Sequence, residues 1–200
     1  MLPSDTNSNT DSDLRERLLV SALEHFAQRG VDAASLRAIA RDAGTSVGMI
    51  TYYFSTKDGL FFTLVDRFYE PFRGELEAIA EAHEDPLDRL CALLRRIASL
   101  TPEEALAGRA LIRELTVQSP RVLEVRTRFL KGHVRLIVDT LQRAITQGET
   151  RDVPMLATLP ALIAPFLLPQ LVHFGDLLGV DHEAQVEATL SVLLDGLRPR

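Results

Sequence analysis

Tryptophan is absent from this 200-residue chain, cysteine occurs once, at Cys91, and aromatic residues amount to 6%. A lone cysteine excludes an intramolecular disulfide and any metal centre built on several thiolates, and it suits a reducing, cytoplasmic compartment. Also missing are the constellations that catalysis needs. There is no Gly-rich phosphate loop, no pair of histidines at the i,i+4 spacing of a zinc helix, and no G-x-S-x-G elbow. The expectation is a protein that is not an enzyme and has neither cofactor nor metal. Cations are in the minority, 22 Lys and Arg against 28 Asp and Glu, for a net charge of −6. That balance argues against a nucleic-acid partner until it is divided along the chain. Residues 1–13 carry −3 and residues 59–200 carry −4, whereas residues 14–58 hold six cations and five acids.

What is present is the composition of a folded globular chain, 46% hydrophobic and 25% charged. Residues 1–13, MLPSDTNSNTDSD, contain no apolar run. They read as a disordered acidic tail, not as a signal or transit peptide. From Leu14 onward Leu18, Leu19, Ala22, Leu23, Phe26 and Ala27 recur at three and four, the stripe of an amphipathic helix that Gly30 stops. Ser35 offers an N-cap to a short second helix with Leu36, Ile39, Ala40 and Ala43 on its apolar face, and Gly44 ends it. Ser46 offers a cap to a third helix that turns Ile50 and Phe54 inward. Ser55 and Asp58 have the spacing of a capping box before a long apolar run from Leu60 to Phe72. Further helices are expected over 87–100, 103–118, 121–147, 153–178 and 183–197, separated by Asp85-Pro86, Thr101-Pro102, Ser119-Pro120 and Gly148. Strand-like alternation is absent, so the fold class is all-α.

Two short helices joined by a tight Gly-containing turn, preceded by a longer one, have the layout of a helix-turn-helix. Residues 15–60, RERLLVSALEHFAQRGVDAASLRAIARDAGTSVGMITYYFSTKDGL, resemble the TetR (tetracycline-repressor-like) family of bacterial regulators. The match lies in the Ala22/Phe26/Gly30 spacing, Ile39-Ala40, Ala43-Gly44, Ser46, Gly48, Ile50, Tyr53-Phe54, Lys57 and Leu60. The resemblance implies a three-helix DNA-binding domain over 14–58 joined to a larger helical ligand-binding and dimerisation domain over 59–200. It also implies roles. Ser35 and Ser46 cap helices that point at DNA, where hydroxyls and free N–H groups hold phosphate. Arg37 reaches a base edge, a chemistry that suits guanine O6 and N7. Val47, Gly48 and Met49 open the recognition helix and offer apolar contact or close approach. Tyr52, Tyr53 and Lys57 act as phosphate clamps. Thr45 and Thr51 stand where the family has an aliphatic residue and a tyrosine. Each role has a plainer rival: Tyr53 and Phe54 as core aromatics, Arg37 and Lys57 as solvated surface charges.

Residues 153–175 contain no Asp, Glu, Lys or Arg, long enough to raise a membrane span. Pro154, Pro160, Pro165 and Pro169 argue against one, and the segment reads instead as a helix buried on all sides, paired with a final helix striped by Val186, Leu190, Leu193, Leu194 and Leu197. Two such helices from each subunit would form a four-helix interface, as the resemblance also implies. A homodimer reading a pseudo-palindromic double-stranded operator follows, with no membrane partner. For a small-molecule effector, Phe68, Leu94, Leu111, Phe129 and Phe166 offer apolar lining, with Arg113, His133, Gln170 and His173 as polar anchors. The two histidines read more readily as core or surface residues, and Arg113 as part of an internal ion pair. The function expected is a transcriptional repressor released from DNA by a largely apolar ligand. The alternatives are an activator or corepressor-type regulator, and a helical ligand-binding or scaffold protein without operator recognition.

Overall fold

A computed structural model describes residues 5–117, 119–172 and 179–199, with side chains from residue 11. Among the described residues there are only helices: α1 Asp5–Arg29, α2 Leu36–Asp42, α3 Val47–Phe54, α4 Lys57–Ala82, α5 Pro86–Ile97, α6 Pro102–Thr116, α7 Val122–Lys131, α8 His133–Thr146, α9 Met155–Leu171 and α10 His182–Leu197. They divide into two compact units. The first is the segment ending at Glu70 together with Leu106–Val125, and the second is Pro71–Ala105 with the chain from Arg126 onward. The first unit thus extends past residue 58, where the sequence suggests a domain boundary, and includes the later part of α6.

In the first unit α1 buries Leu18, Leu19, Ala22, Leu23 and Phe26, meeting Ile39 and Ala40 of α2, Ile50 and Phe54 of α3, and Leu60, Phe61 and Leu64 of α4 in the same buried set. The Phe26 and Phe61 rings meet edge to face, 5.9 Å between centroids. Helices of seven and eight residues are too short to persist alone, so this shared burial is what keeps α2 and α3 helical. Gly44 (φ 70°) ends α2 in a left-handed turn. The Thr45 N–H reaches back to the Ala40 carbonyl at 2.8 Å and the Gly44 N–H to that of Arg41 at 3.0 Å, the paired bonds of a Schellman cap.

Two local expectations are corrected. Helix α1 is continuous from Asp5, where the composition suggests a disordered tail. No Pro or Gly interrupts residues 5–29, and Asp13 pairs with Arg17 one turn on at 2.6 Å. The cap of α4 is Thr56, whose Oγ1 accepts from the Gly59 N–H at 2.9 Å, and not Ser55. Ser55 instead adopts φ 60° to turn the chain, and Asp58 is used elsewhere. Gly59 is needed here because a Cβ would lie 2.3 Å from the Phe54 carbonyl oxygen.

The second unit is built on Leu76, Leu90, Leu93, Leu94, Ile97, Ile137, Leu141, Leu159, Leu162, Phe166, Leu190 and Leu197. Cys91 is half-buried against this core, and burial pushes its thiol pKa up. The helix expected over 121–147 is broken at Gly132 (φ −98°, ψ −121°) into α7 and α8. Helix α9 stays continuous through Pro160, Pro165 and Pro169, and no helix among the described residues is long and apolar enough to cross a membrane. Nor is it buried all round: Leu159, Leu162, Phe166 and Leu171 face the core, while Leu156 is 79% exposed. Residues 173–178, including His173, lie outside the described residues.

Replacing Gly59 by alanine is expected to lower stability by about 1–3 kcal/mol, since backbone must move to admit the methyl group. Denaturant unfolding monitored by helical circular dichroism measures this.

Candidate nucleic-acid interface

Because Ile50 and Phe54 are buried, the opposite face of α3 is fixed to point outward. It presents Gly48, Thr51 and Tyr52, with Ser55 just beyond the helix, and Tyr52 is 73% exposed. Arg37 on α2 is exposed as well, while Thr45, Val47 and Met49 are half-buried around the turn. Ser35 accepts a long bond, 3.4 Å, from the Ala38 N–H. Ser46 occupies the N-cap position of α3 but makes no side-chain cap bond, contrary to expectation; its carbonyl accepts from the Met49 N–H at 3.1 Å. The first-turn N–H groups of α3 thus lack a serine acceptor, beside an exposed hydroxyl. The Thr51 hydroxyl bonds back to the Val47 carbonyl at 3.4 Å.

Two expected phosphate clamps are occupied from within. The Lys57 ammonium donates to the carbonyls of Val31, Asp32 and Ala34, each at 2.9 Å. Those three bonds consume all the donors an ammonium has, so in this structure Lys57 organises the α1–α2 turn. The Tyr53 hydroxyl donates to the Asp11 carboxylate, a bond that raises its pKa to about 12. Its ring lies edge-on to Tyr52, 5.1 Å between centroids.

The residue that sequence reading missed is Arg121, 6% exposed. Its Nε donates to Glu114, Nη1 to Asp58 and Nη2 to Asp32, each at 2.8 Å. Glu114 is itself buried and accepts from the Val31 N–H at 3.3 Å. Burial opposes the guanidinium's charge, but the bonds to Glu114, Asp32 and Asp58 outweigh it and hold its pKa above the ordinary value. One side chain after Ser119-Pro120 therefore grips the α1–α2 turn, the start of α4 and α6. The ion pair expected at Arg113 forms instead at its neighbour Glu114, whose partner Arg121 is seven residues away, while Arg113 donates to the Gln28 carbonyl at 3.3 Å. A second tie, between His25 Nε2 and Asp42 at 2.9 Å, joins α1 to the end of α2. Hydrogen bonds from Arg41 and His25 hold the Asp42 carboxyl below its usual range.

The residues expected to line an effector pocket are divided. Phe68, Leu111 and Arg113 belong to the first unit, and Leu94, Phe129, His133, Phe166 and Gln170 to the second. Leu94 and Phe166 are core residues. Gln170 is a structural splice, donating to the carbonyls of Ile97 and Phe166 and accepting from the Leu100 N–H at 2.7 Å. His133 meets the Phe129 ring at 5.1 Å, and burial pushes its pKa down to about 4. Among the described residues no group of His, Cys, Asp and Glu is arranged to hold a metal ion.

An outward α3 carried on a Schellman turn and a three-helix core is the reader of a helix-turn-helix DNA-binding protein. Residues 18–64 match the family described as bacterial regulatory proteins, tetR family, and the chain is a DNA-binding transcriptional regulator. It is 28% identical over 164 residues to the probable HTH-type transcriptional regulator YttP of Bacillus subtilis, covering 79% of each chain. It is 28% identical over 141 residues to the HTH-type transcriptional repressor KstR2 of Mycolicibacterium smegmatis, covering 68% of this chain and 67% of that one. The fold is that of the transcriptional regulator FadR from Bacillus subtilis in complex with stearoyl-CoA, with a TM-score of 0.70 at 20% identity over 92% of this chain and 99% of that one.

Arg121→Met is expected to cost about 3 kcal/mol by stranding buried Glu114, and Arg121→Met/Glu114→Leu to regain much of it; urea titration of both reads the difference. His133 binds its proton less readily folded than unfolded, so its contribution is present above about pH 6.5 and is lost as pH falls toward 4. A flatter dependence of Tm on pH across that window in His133→Phe tests the assignment.

Proposed function

We propose that this protein is a homodimeric repressor that binds a pseudo-palindromic operator and leaves it when a small, largely apolar effector binds the helical body. It works without catalysis, in the cytoplasm. The outward face of α3, held by Ile50 and Phe54, carries the reading. Gly48, Thr51 and Tyr52 meet the major groove, with Val47, Met49 and Thr45 flanking them, and Ser35, Ser46 and the open N–H groups of α3 taking phosphate. Tyr53 joins them once its hydroxyl is released, and Arg37 reaches a base edge from α2. Base recognition then depends on one guanidinium, methyl contacts and DNA shape more than on a row of hydrogen bonds.

The dimer reading rests on α9 and α10. A groove of about 750 Å³ runs between them, floored by Leu162 and edged by small residues such as Ala161, Ala188 and Gly196. Exposed beside it are Leu156, Leu168 and Val192. Small residues permit close helix approach and the exposed aliphatics need cover, the requirements of a self-complementary two-fold interface. The repressor sign follows the name of the KstR2 relative, and the apolar effector follows the stearoyl-CoA held by FadR. Within the second unit Phe129 and neutral His133 are the remaining candidates to meet such a ligand.

Electrophoretic shift with DNA from the protein's own upstream region tests the function: a sequence-dependent, salt-sensitive complex is expected, and its absence would overturn the reading. Arg37→Ala should lose about 1–3 kcal/mol of discrimination at one base position in each half-site. Val192→Asp should convert dimer to monomer in analytical ultracentrifugation and abolish the operator complex at concentrations where the parent binds fully.

A further inference from the structure

The segment of α1 that precedes the family match is acidic. Asp5, Asp11 and Asp13 are the ionisable side chains before Arg15, so the start of the helix carries −3. Because α1 is continuous from Asp5, Asp11 and Asp13 are carried on helix ahead of the family match. The helix delivers Asp11 to α3. The Tyr53 hydroxyl donates to Asp11 Oδ1 and lies 3.5 Å from the Asp11 carbonyl oxygen. Two residues on, Asp13 takes the guanidinium of Arg17 at 2.6 Å.

A phenol that donates to a carboxylate makes the bond it would make to a phosphodiester oxygen: a neutral donor to an anionic oxygen. Asp11 therefore stands, chemically, where a DNA phosphate would stand. We propose that the acidic start of α1 is an intramolecular competitor of operator phosphate, with Asp11 holding the Tyr53 hydroxyl until DNA displaces it. This rests on the reading of α3 as the DNA-facing surface. Asp11 is exposed, so its bond exchanges with solvent and is displaceable rather than locking. The device lowers affinity for all DNA, since bond and charge must both be removed before a phosphate can approach. It also supplies a physical reason for an acidic arm on a reader whose own net charge is only +1.

The test uses the full-length protein, an operator duplex selected from random DNA by the parent, and a random duplex of equal length. Asp11→Ala is expected to bind both duplexes about three- to tenfold more tightly, with a log–log salt slope steeper by roughly one contact. Tm should stay close to that of the parent. Asp11→Asn, which keeps an acceptor but loses the charge, should move affinity in the same direction by less. Tyr53→Phe introduced into Asp11→Ala should erase most of the gain. Unchanged or weaker DNA binding by both Asp11 variants overturns the proposal, as does a gain that Tyr53→Phe leaves intact. Tyr52→Phe and Arg37→Ala separate the two levels. If they weaken DNA binding while the Asp11 variants do not tighten it, the competitor alone fails; if they leave it unchanged, the reading of α3 fails.

Discussion

The turn between α1 and α2 is clasped by two cations, and the DNA-reading unit depends on that clasp. Lys57, the first residue of α4, takes the three carbonyls of Val31, Asp32 and Ala34. Arg121 takes the Asp32 side chain while anchoring itself on Glu114 and Asp58. A turn whose carbonyls converge needs donors, and the Lys57 ammonium supplies three. With the turn fixed, α2 leaves α1 at a set angle, and the buried Ile39, Ile50 and Phe54 fix which face of α3 looks outward.

This arrangement consumes charge that a count of cations would assign to DNA. Of the six cations in residues 14–58, Lys57 is spent on carbonyls, Arg17 on Asp13, Arg41 on Asp42, and Arg15 lies over the Phe54 ring. The reader consequently offers hydroxyls, backbone N–H groups and apolar contact in greater measure than charge. Under the proposed reading, such a surface gains less from bulk electrostatic attraction and more from shape and fit.

The second unit solves a different problem. Helix α9 carries three internal prolines, each removing a backbone donor, yet the surrounding Leu76, Leu90, Ile97 and Ile137 core and the Gln170 splice to Ile97 and Leu100 keep it continuous. The outer face of α9 remains apolar, with Leu156, Ala157, Pro160, Ala161, Pro165 and Leu168 exposed, and under the proposed dimer a second copy covers it.

Periodicity alone specified the all-α class, and the Gly44 turn with its flanking short helices specified the helix-turn-helix, because both are encoded by residues close in sequence. The core assignments of Leu18, Phe26, Ile50 and Phe54 were legible for the same reason. What the sequence could not determine was the fate of polar groups whose partners are distant. Lys57 reads as a phosphate clamp, but its carbonyls lie 23 to 26 residues away. Arg121 carries no local signal of its role, because two of its three partners are 63 and 89 residues away. Tyr53 meets Asp11 across 42 residues, and the continuous helix that brings them together crosses a stretch whose composition alone suggests disorder. Local pattern fixes which face of a helix is apolar; only the tertiary structure decides which donor meets which acceptor, because that depends on distances folding sets between residues far apart in the chain.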